Sequence, residues 1–133
     1  MKATVLDASA LLAMFFGQAG MEQVRDLFHK AAEIDKALLI SAVNWAEVLY
    51  KLEQKKGSEG VETGQRFERT MPLEVVSVDR ELAEAAAQLK VVHRLGLADA
   101  FAAGLAIARK AELVTADTEF KVLEREVKIA WLS

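Results

Sequence analysis

The chain has 133 residues, of which 20 are Asp or Glu and 17 are Lys or Arg, giving a formal charge of −3, and it has no cysteine. This length fits one globular domain over residues 1–133, and the lack of cysteine excludes disulfides, a thiolate zinc site and a cysteine nucleophile. A reducing, cytoplasmic setting is therefore expected. The longest uncharged run, Ala8–Met21, is too short to cross a membrane. The slight acidic excess argues against the strongly basic surface of a protein that coats DNA.

Short apolar runs alternate along the chain with apolar residues at helical spacing. In chain order, the predicted elements are a strand over Thr4–Leu6, a helix from Ala8, a helix around Met21–Ala31, a strand over Ala37–Ile40, a helix capped by Ser41 and ended by Gly57, a helix around Val61–Arg69, a strand over Glu74–Val78, a helix from Asp79 through Leu95, a helix over Asp99–Lys110, a strand over Leu113–Thr115, a short helix through Leu123 and a strand over Val127–Leu132. This alternation predicts an α/β fold of three layers, in which helices cover both faces of a mostly parallel, five-stranded sheet.

Three segments that should be buried carry almost no charge. They are Ala3–Met21, Ala37–Tyr50 and Leu95–Ala108. At the 28% charged content of the whole chain these 47 residues would hold about 13 charges. They hold three, and all three are acids: Asp7, Glu47 and Asp99. A lone buried carboxylate is costly unless it is paired, well hydrogen-bonded or bound to a metal, and no Lys or Arg lies within the three segments.

These acids, with a fourth, follow strands whose carboxyl ends should share one edge of the sheet, where such folds bind ligands. Asp7 follows the first strand and Asp117 the fourth, Glu47 lies two turns into the helix after the second strand, and Asp99 opens a later helix. Asp7, Asp99 and Asp117 can also be read as plain helix caps, and Glu47 as an exposed helix position. A cluster of carboxylates requires a cation, and oxygen ligands without Cys or His favour Mg²⁺ or Mn²⁺, as one or two ions.

Four segments then carry a resemblance to a known family. They are Val5–Ala10, Ile40–Leu49, Leu97–Ala103 and Leu113–Phe120. In this order and in a chain this short, they resemble the PIN-domain family, and most of all its small VapC-type toxins. The resemblance implies a PIN-like α/β/α domain that acts as a metal-dependent endoribonuclease, is often a homodimer, and is paired with a small VapB-like antitoxin that occupies the active-site groove.

The resemblance also implies roles for individual residues. Asp7, Glu47 and Asp99 match the core carboxylates, and Asp117 matches a fourth, less constant one. Ser9 and Thr115 match hydroxyl positions that help to order the acidic site, and Asn44 matches a polar position nearby. Among basic residues, Lys51, Lys55, Arg94 and Arg109 are candidates for contacts to RNA phosphates.

The expected reaction is hydrolysis by a metal-activated water, which leaves a 5′-phosphate and a 3′-hydroxyl. Two alternatives stay open within the family: an RNA-processing nuclease without an antitoxin, and a degenerate domain that only binds RNA or protein. A phosphotransfer receiver and an aspartate-based phosphatase also place an Asp after the first strand. However, a receiver usually needs another acid beside Asp7, where this chain has Leu6. A phosphatase of that type needs an Asp at the position of Ser9.

Overall fold

The computed structural model describes residues 2–133 and contains one five-stranded sheet. The strands are β1 (Thr4–Leu6), β2 (Leu38–Ser41), β3 (Leu73–Val76), β4 (Glu112–Thr115) and β5 (Ile129–Trp131). Their order across the sheet is β3-β2-β1-β4-β5, and every neighbouring pair is parallel. The sequence-based prediction of a parallel five-stranded sheet is therefore confirmed. The strands β2, β1 and β4 lie side by side, so their carboxyl ends meet at one edge.

Six α-helices and one 3₁₀ helix connect the strands within the described part of the chain. They are α1 (Ala8–Phe15), α2 (Met21–Glu33), α3 (Ala42–Lys56), α4 (Ser58–Thr70), α5 (Arg80–His93), α6 (Leu97–Ala108) and the 3₁₀ helix Thr118–Leu123. Two predicted caps are present: the Ser41 side chain accepts a hydrogen bond from the Asn44 backbone N–H, and Asp79 accepts one from Leu82. Gly57 ends α3 with a φ of 68°, which an L side chain rarely adopts.

The start of α6 differs from the prediction. This helix begins at Leu97, with Gly96 in the capping position, so Asp99 does not open the helix and instead lies in its first turn. Gly96 makes no side-chain capping bond, and a cap of this kind leaves little trace in a sequence. The interpretation of Asp99 as a plain helix cap is therefore wrong.

Alternate residues of the central strands enter two separate cores, as the pleat of a strand requires. Val5, Leu39 and Leu113 pack against α5 and α6 on one face of the sheet. Their chain neighbours on the opposite face pack against helices α1 to α4. These neighbours are Leu6, Leu38, Ile40 and Val114. This arrangement is the three-layer α/β/α architecture that the sequence predicts, and it holds the helices α1 and α3 on the same face of the sheet.

Within residues 2–133, no single helix is both long enough and apolar enough to cross a membrane. Helices α5 and α6 reach that length and composition only when taken together, and the chain bends by 116° between them.

Gly60 of helix α4 lies against helix α3, which carries Glu47, and this contact generates a prediction. A Cβ on Gly60 would clash with the backbone carbonyl oxygen of Leu52 and lie 2.9 Å from its carbonyl carbon. We expect Gly60→Ala to lower the free energy of unfolding by about 1 kcal/mol or more, because overpacking outweighs the better helix propensity of alanine. Urea unfolding measures this change.

Gly64→Ala, also in α4, is the matched control. Its Cβ would meet the Leu52 Cδ1 atom at 2.9 Å, which is the end of a flexible side chain and not backbone. We expect a smaller loss or a gain in stability, and a Gly60→Ala protein as stable as the Gly64→Ala protein would contradict the backbone contact.

Candidate active site

All four carboxylates singled out in the sequence line one pocket at the carboxyl edge of the sheet. Its volume is about 280 Å³. The lining residues are Asp7, Ala8, Ser9, Leu12, Phe16, Gln18, Glu47, Lys51, Asp99 and Asp117. Helix α1 supplies one wall, α3 another, and the first turn of α6 and the end of β4 supply the remaining acids. The strand order therefore assembles side chains that are more than 100 residues apart in the chain.

Asp7 is the most deeply buried of the four carboxylates, with 2% of its surface exposed. Its Oδ1 atom accepts hydrogen bonds from the Ala10 backbone N–H at 3.0 Å and from the Ser9 hydroxyl at 2.7 Å. Its Oδ2 atom accepts one from the Thr115 hydroxyl at 2.5 Å. Burial raises the pKa of Asp7 from 3.8 to about 6, although these hydrogen bonds lower it and the charge of Asp117 raises it further. Asp7 thus caps α1 and lines the pocket at the same time, so the two interpretations of this residue are compatible.

Two hydroxyls connect the ends of β1 and β4. Thr115 donates to Asp7 and accepts a hydrogen bond from the Asp117 backbone N–H at 2.9 Å. The Ser9 hydroxyl donates to Asp7 and accepts from the Ala116 backbone N–H at 3.0 Å. The predicted supporting positions Ser9 and Thr115 therefore lie where they orient Asp7 and fix the backbone that carries Asp117.

Asp99 and Asp117 form a second acidic group, which includes a residue that sequence reasoning missed. One carboxylate oxygen from each of Asp99, Asp117 and Glu119 lies within 4.8 Å of the others. Burial raises the pKa of Asp99 from 3.8 to about 8, with further contributions from the charge of Asp117, a hydrogen bond with the Glu119 side chain and the charge of Asp7. Glu119 follows Asp117 by two residues in the 3₁₀ helix, and its backbone N–H donates to the Asp117 side chain at 2.9 Å. The sequence places Glu119 two residues after Asp117, but only the folded turn shows that both side chains lie at one place.

Glu47 differs from the expectation of a carboxylate without a cationic partner. Lys51, one turn further along α3 and just outside the uncharged segment, forms an ion pair with it at 2.8 Å. This pair raises the pKa of Lys51. The Glu47 side chain is 23% exposed, and Tyr50 on the same helix is 49% exposed, so the helix is not enclosed on all sides. Glu47 reaches both the pocket and water.

Asn44 acts at the base of the site. It is buried, its Oδ1 atom accepts a hydrogen bond from the Ser41 hydroxyl, and its Nδ2 atom donates to the backbone carbonyl of Ala98 at 3.0 Å. This bond ties the start of α3 to the first turn of α6, next to Asp99. Asn44 is therefore placed to position that carboxylate and does not itself line the pocket.

The predicted basic candidates lie in different places. Lys51 lines the pocket, whereas Arg94 is an exposed residue after α5 with a φ of 57°. Arg109 caps the far end of α6 and lines a separate cavity of about 660 Å³ beside α5. Lys55 lies one turn beyond Lys51, with its ammonium over the ring of Phe16. The four candidates therefore do not form one path.

The donor set of this pocket fits a hard divalent cation. Every candidate ligand is a carboxylate or hydroxyl oxygen, which suits Mg²⁺ or Mn²⁺, and neither Cys nor His is among the lining residues. The raised pKa values of Asp7 and Asp99 mean that these carboxyls resist ionisation in the metal-free protein. A bound cation would remove that cost. Asp99, Asp117 and Glu119 offer three oxygens in one place, and Asp7 and Glu47 complete the lining.

Comparison with known proteins adds independent findings. A family model described as the PIN domain matches residues 4–126. The fold is similar to that of DNA-bound VapBC from Salmonella typhimurium (22% identity, 98% of each chain covered, TM-score 0.77) and VapBC2 from Rickettsia felis bound to a promoter DNA fragment (18% identity, 98% of this chain and 99% of that chain, TM-score 0.76). It is also similar to VapC20 of Mycobacterium tuberculosis, described as a toxin that cleaves the sarcin-ricin loop (18% identity, 90% of this chain and 94% of that chain, TM-score 0.74). No curated protein sequence matches the chain.

The carboxyl groups make the stability of the metal-free protein depend on pH. Because the folded state raises the pKa of Asp7 to about 6 and of Asp99 to about 8, it binds these protons more tightly than the unfolded chain. The stabilising contribution of the two protons is complete below about pH 4 and is lost as the pH rises to about 8. We expect the melting temperature of Asp99→Asn, relative to the unchanged protein, to rise over that interval.

Thermal melts in chelator at several pH values measure this effect. Excess Mn²⁺ should remove most of the difference between the two proteins, because the ion compensates the carboxylate charge. A melting-temperature difference that stays constant between pH 4 and pH 8 would contradict the assigned cause.

Proposed function

This chain belongs to the PIN-domain family, and we propose that it is a metal-dependent endoribonuclease that hydrolyses phosphodiester bonds of RNA as the toxin of a type II toxin-antitoxin pair. The observation that carries the proposal is the convergence of Asp7, Glu47, Asp99 and Asp117 on one pocket. The only cationic side chain among the lining residues is Lys51. Gathering these carboxylates lowers the stability of the fold, and a domain that only binds a partner gains nothing in return. The pocket is suited to holding Mg²⁺ or Mn²⁺ against a phosphate.

The toxin assignment is supported by how completely the fold corresponds to toxin structures. The chain and the VapBC protein from Salmonella typhimurium each cover 98% of the other. VapC20 is described as a toxin that cleaves the sarcin-ricin loop, and another similar structure is described as a toxin-antitoxin complex from Klebsiella pneumoniae. By analogy we expect a VapB-like antitoxin, a homodimer and a cytoplasmic location for this chain.

The proposed mechanism assigns one task to each side chain. Asp7, Asp99 and Asp117 would bind one or two Mg²⁺ or Mn²⁺ ions, with Glu119 beside the last two and Glu47 as a ligand or as the group that orients the attacking water. When bound, such an ion lowers the pKa of water and compensates charge on the phosphate. Ser9 and Thr115 hold the Asp7 carboxylate at a fixed orientation. Lys51 holds Glu47 at the pocket wall and would place a positive charge beside a bound phosphate.

Water, and not the ribose 2′-hydroxyl, is the proposed nucleophile. Attack by the 2′-hydroxyl needs a general base and a general acid near neutral pH, a task most often performed by histidine. Neither histidine lines this pocket: His93 lies 3.2 Å from Glu126, and His29 is exposed on α2. The expected products are therefore a 5′-phosphate and a 3′-hydroxyl.

Asp7→Asn tests the proposed function most simply. Asparagine keeps the capping oxygen but removes the charge, so we expect Mn²⁺-dependent cleavage of single-stranded RNA to fall at least about 100-fold. Asp79→Asn is the matched control, because Asp79 caps α5 in the same way outside the pocket. It should leave cleavage unchanged. Expression in a bacterial host should stop growth for Asp79→Asn but not for Asp7→Asn, and full cleavage by Asp7→Asn would sink the proposal.

The nucleophile is tested with a substrate that has one 2′-deoxynucleotide on the 5′ side of the cleaved phosphate. Attack by water does not need the missing hydroxyl, so we expect this RNA to be cleaved at a rate similar to the all-ribose RNA. Mass spectrometry of the products should find 3′-hydroxyl ends. A 2′,3′-cyclic phosphate among the products of the all-ribose RNA, or a complete block of cleavage by the deoxynucleotide, would show that the ribose attacks instead.

A further inference from the structure

A groove leads away from the carboxylates between two parallel rows of side chains. Helices α1 and α3 both begin at the carboxyl edge of the sheet and run away from it, because each follows one of two neighbouring parallel strands. Every fourth residue of each helix faces the same side. On α1 the row is Ala8 and Leu12, and Phe16 continues it directly after the helix; all three line the pocket. On α3 the row is Glu47, Lys51 and Lys55, of which the first two line the pocket.

The two rows meet again at the far end of the groove. The Lys55 ammonium lies 4.7 Å from the centre of the Phe16 ring, and the Lys56 ammonium lies 5.9 Å from it. Lys55 follows Glu47 by eight residues, so its contact with Phe16 lies about 12 Å along α3 from Glu47. The charge of the groove thus changes from negative at the carboxyl edge of the sheet to positive at the far end, where Lys55 and Lys56 lie.

The surroundings of these three side chains favour a nucleic acid as the occupant. Phe16 is only partly buried and both lysines are exposed. Neither lysine forms an ion pair with a carboxylate among residues 2–133. A phosphate chain that approaches four carboxylates needs positive charge next to them, and an aromatic face beside lysines offers a base a surface to stack on.

We propose that Phe16, Lys55 and Lys56 form a subsite for one nucleotide of single-stranded RNA, adjacent to the nucleotides that are cleaved. The base stacks on the Phe16 ring, and the two ammonium groups leave the ring to contact the flanking phosphates. Stacking of a base on an aromatic ring is stronger than a cation–π contact at an exposed site, so this exchange is favourable. A duplex hides the faces of its bases, and the subsite therefore selects single strands. This inference rests on the proposed ribonuclease function and assigns part of its substrate path.

The test measures binding of a fluorescein-labelled, mixed-sequence RNA of 12 nucleotides, with every variant made in the Asp7→Asn background so that the RNA persists. We expect Phe16→Leu to weaken binding of the single strand about 5- to 100-fold, and Phe16→Trp to retain it. The same RNA annealed to its complement should bind both variants equally. Thermal melts confirm that the variants fold.

Salt dependence separates the role of the lysines from that of the ring. Each lost phosphate contact reduces the slope of log affinity against log salt by about 0.7 for single strands, so Lys55→Gln/Lys56→Gln should reduce it by about 1.4. Phe16→Leu should leave the slope unchanged. The control Lys2→Gln/Lys110→Gln removes the same charge from exposed lysines at the opposite, amino edge of the sheet and should change neither slope nor affinity.

The outcomes distinguish the subsite from the ribonuclease function itself. If the chain with Asp7 intact cleaves RNA, but Phe16→Leu and Lys55→Gln/Lys56→Gln bind RNA as the parent does, the subsite is wrong and the function stands; the groove end would then serve a protein partner. If the chain with Asp7 intact neither binds nor cleaves RNA, the proposed function fails and the subsite fails with it.

Discussion

Parallel strands β2, β1 and β4 end side by side, and the acids that follow them share a single pocket with Asp99 of α6, in which like charges repel one another. Burial and like charge together raise the pKa of Asp7 to about 6 and of Asp99 to about 8. For the buried Asp7, the change of about two pKa units corresponds to about 3 kcal/mol, which is a large fraction of the free energy of unfolding of a small domain. The fold tolerates this cost through specific hydrogen bonds, and a divalent cation would relieve it.

Those hydrogen bonds connect the site to the sheet. Thr115 and Ser9 each donate to Asp7 and each accept from the backbone beyond β4, so Asp7 cannot reorient without disturbing the end of the neighbouring strand. Asn44 links the start of α3 to α6 in the same way. The carboxylates are therefore held by hydrogen bonds to the ends of strands and the starts of helices, as a preorganised metal site requires.

Much of this arrangement was predictable, because the sequence departs from its own composition at the site. Single acids within uncharged segments identified Asp7, Glu47 and Asp99, and the rule that parallel strands share an edge brought them together. The site also accounts for the formal charge of −3. Without the four carboxylates of the pocket, 16 acidic residues face 17 basic ones. The acidic surplus belongs to the site and does not argue against an RNA substrate.

The parts that were not predicted depend on spatial relations without a sequence period of their own. Glu119 enters the site because a 3₁₀ turn folds back on Asp117, and the helix that carries Asp99 starts early because Gly96 caps it without a side chain. Lys51 pairs with Glu47 from beyond the uncharged segment. The groove between α1 and α3 required two rows from separate helices to be placed opposite each other, which only the strand order determines.

A calorimetric titration of the protein with Mn²⁺ at pH 7 tests most directly whether the acidic pocket is a metal site. The account predicts binding of one or two ions with release of protons, since Asp99 holds its proton at that pH, and it predicts that both the heat and the proton release are largely lost in Asp99→Asn. No binding of Mn²⁺ to the unchanged protein, or binding that Asp99→Asn leaves intact, would contradict it.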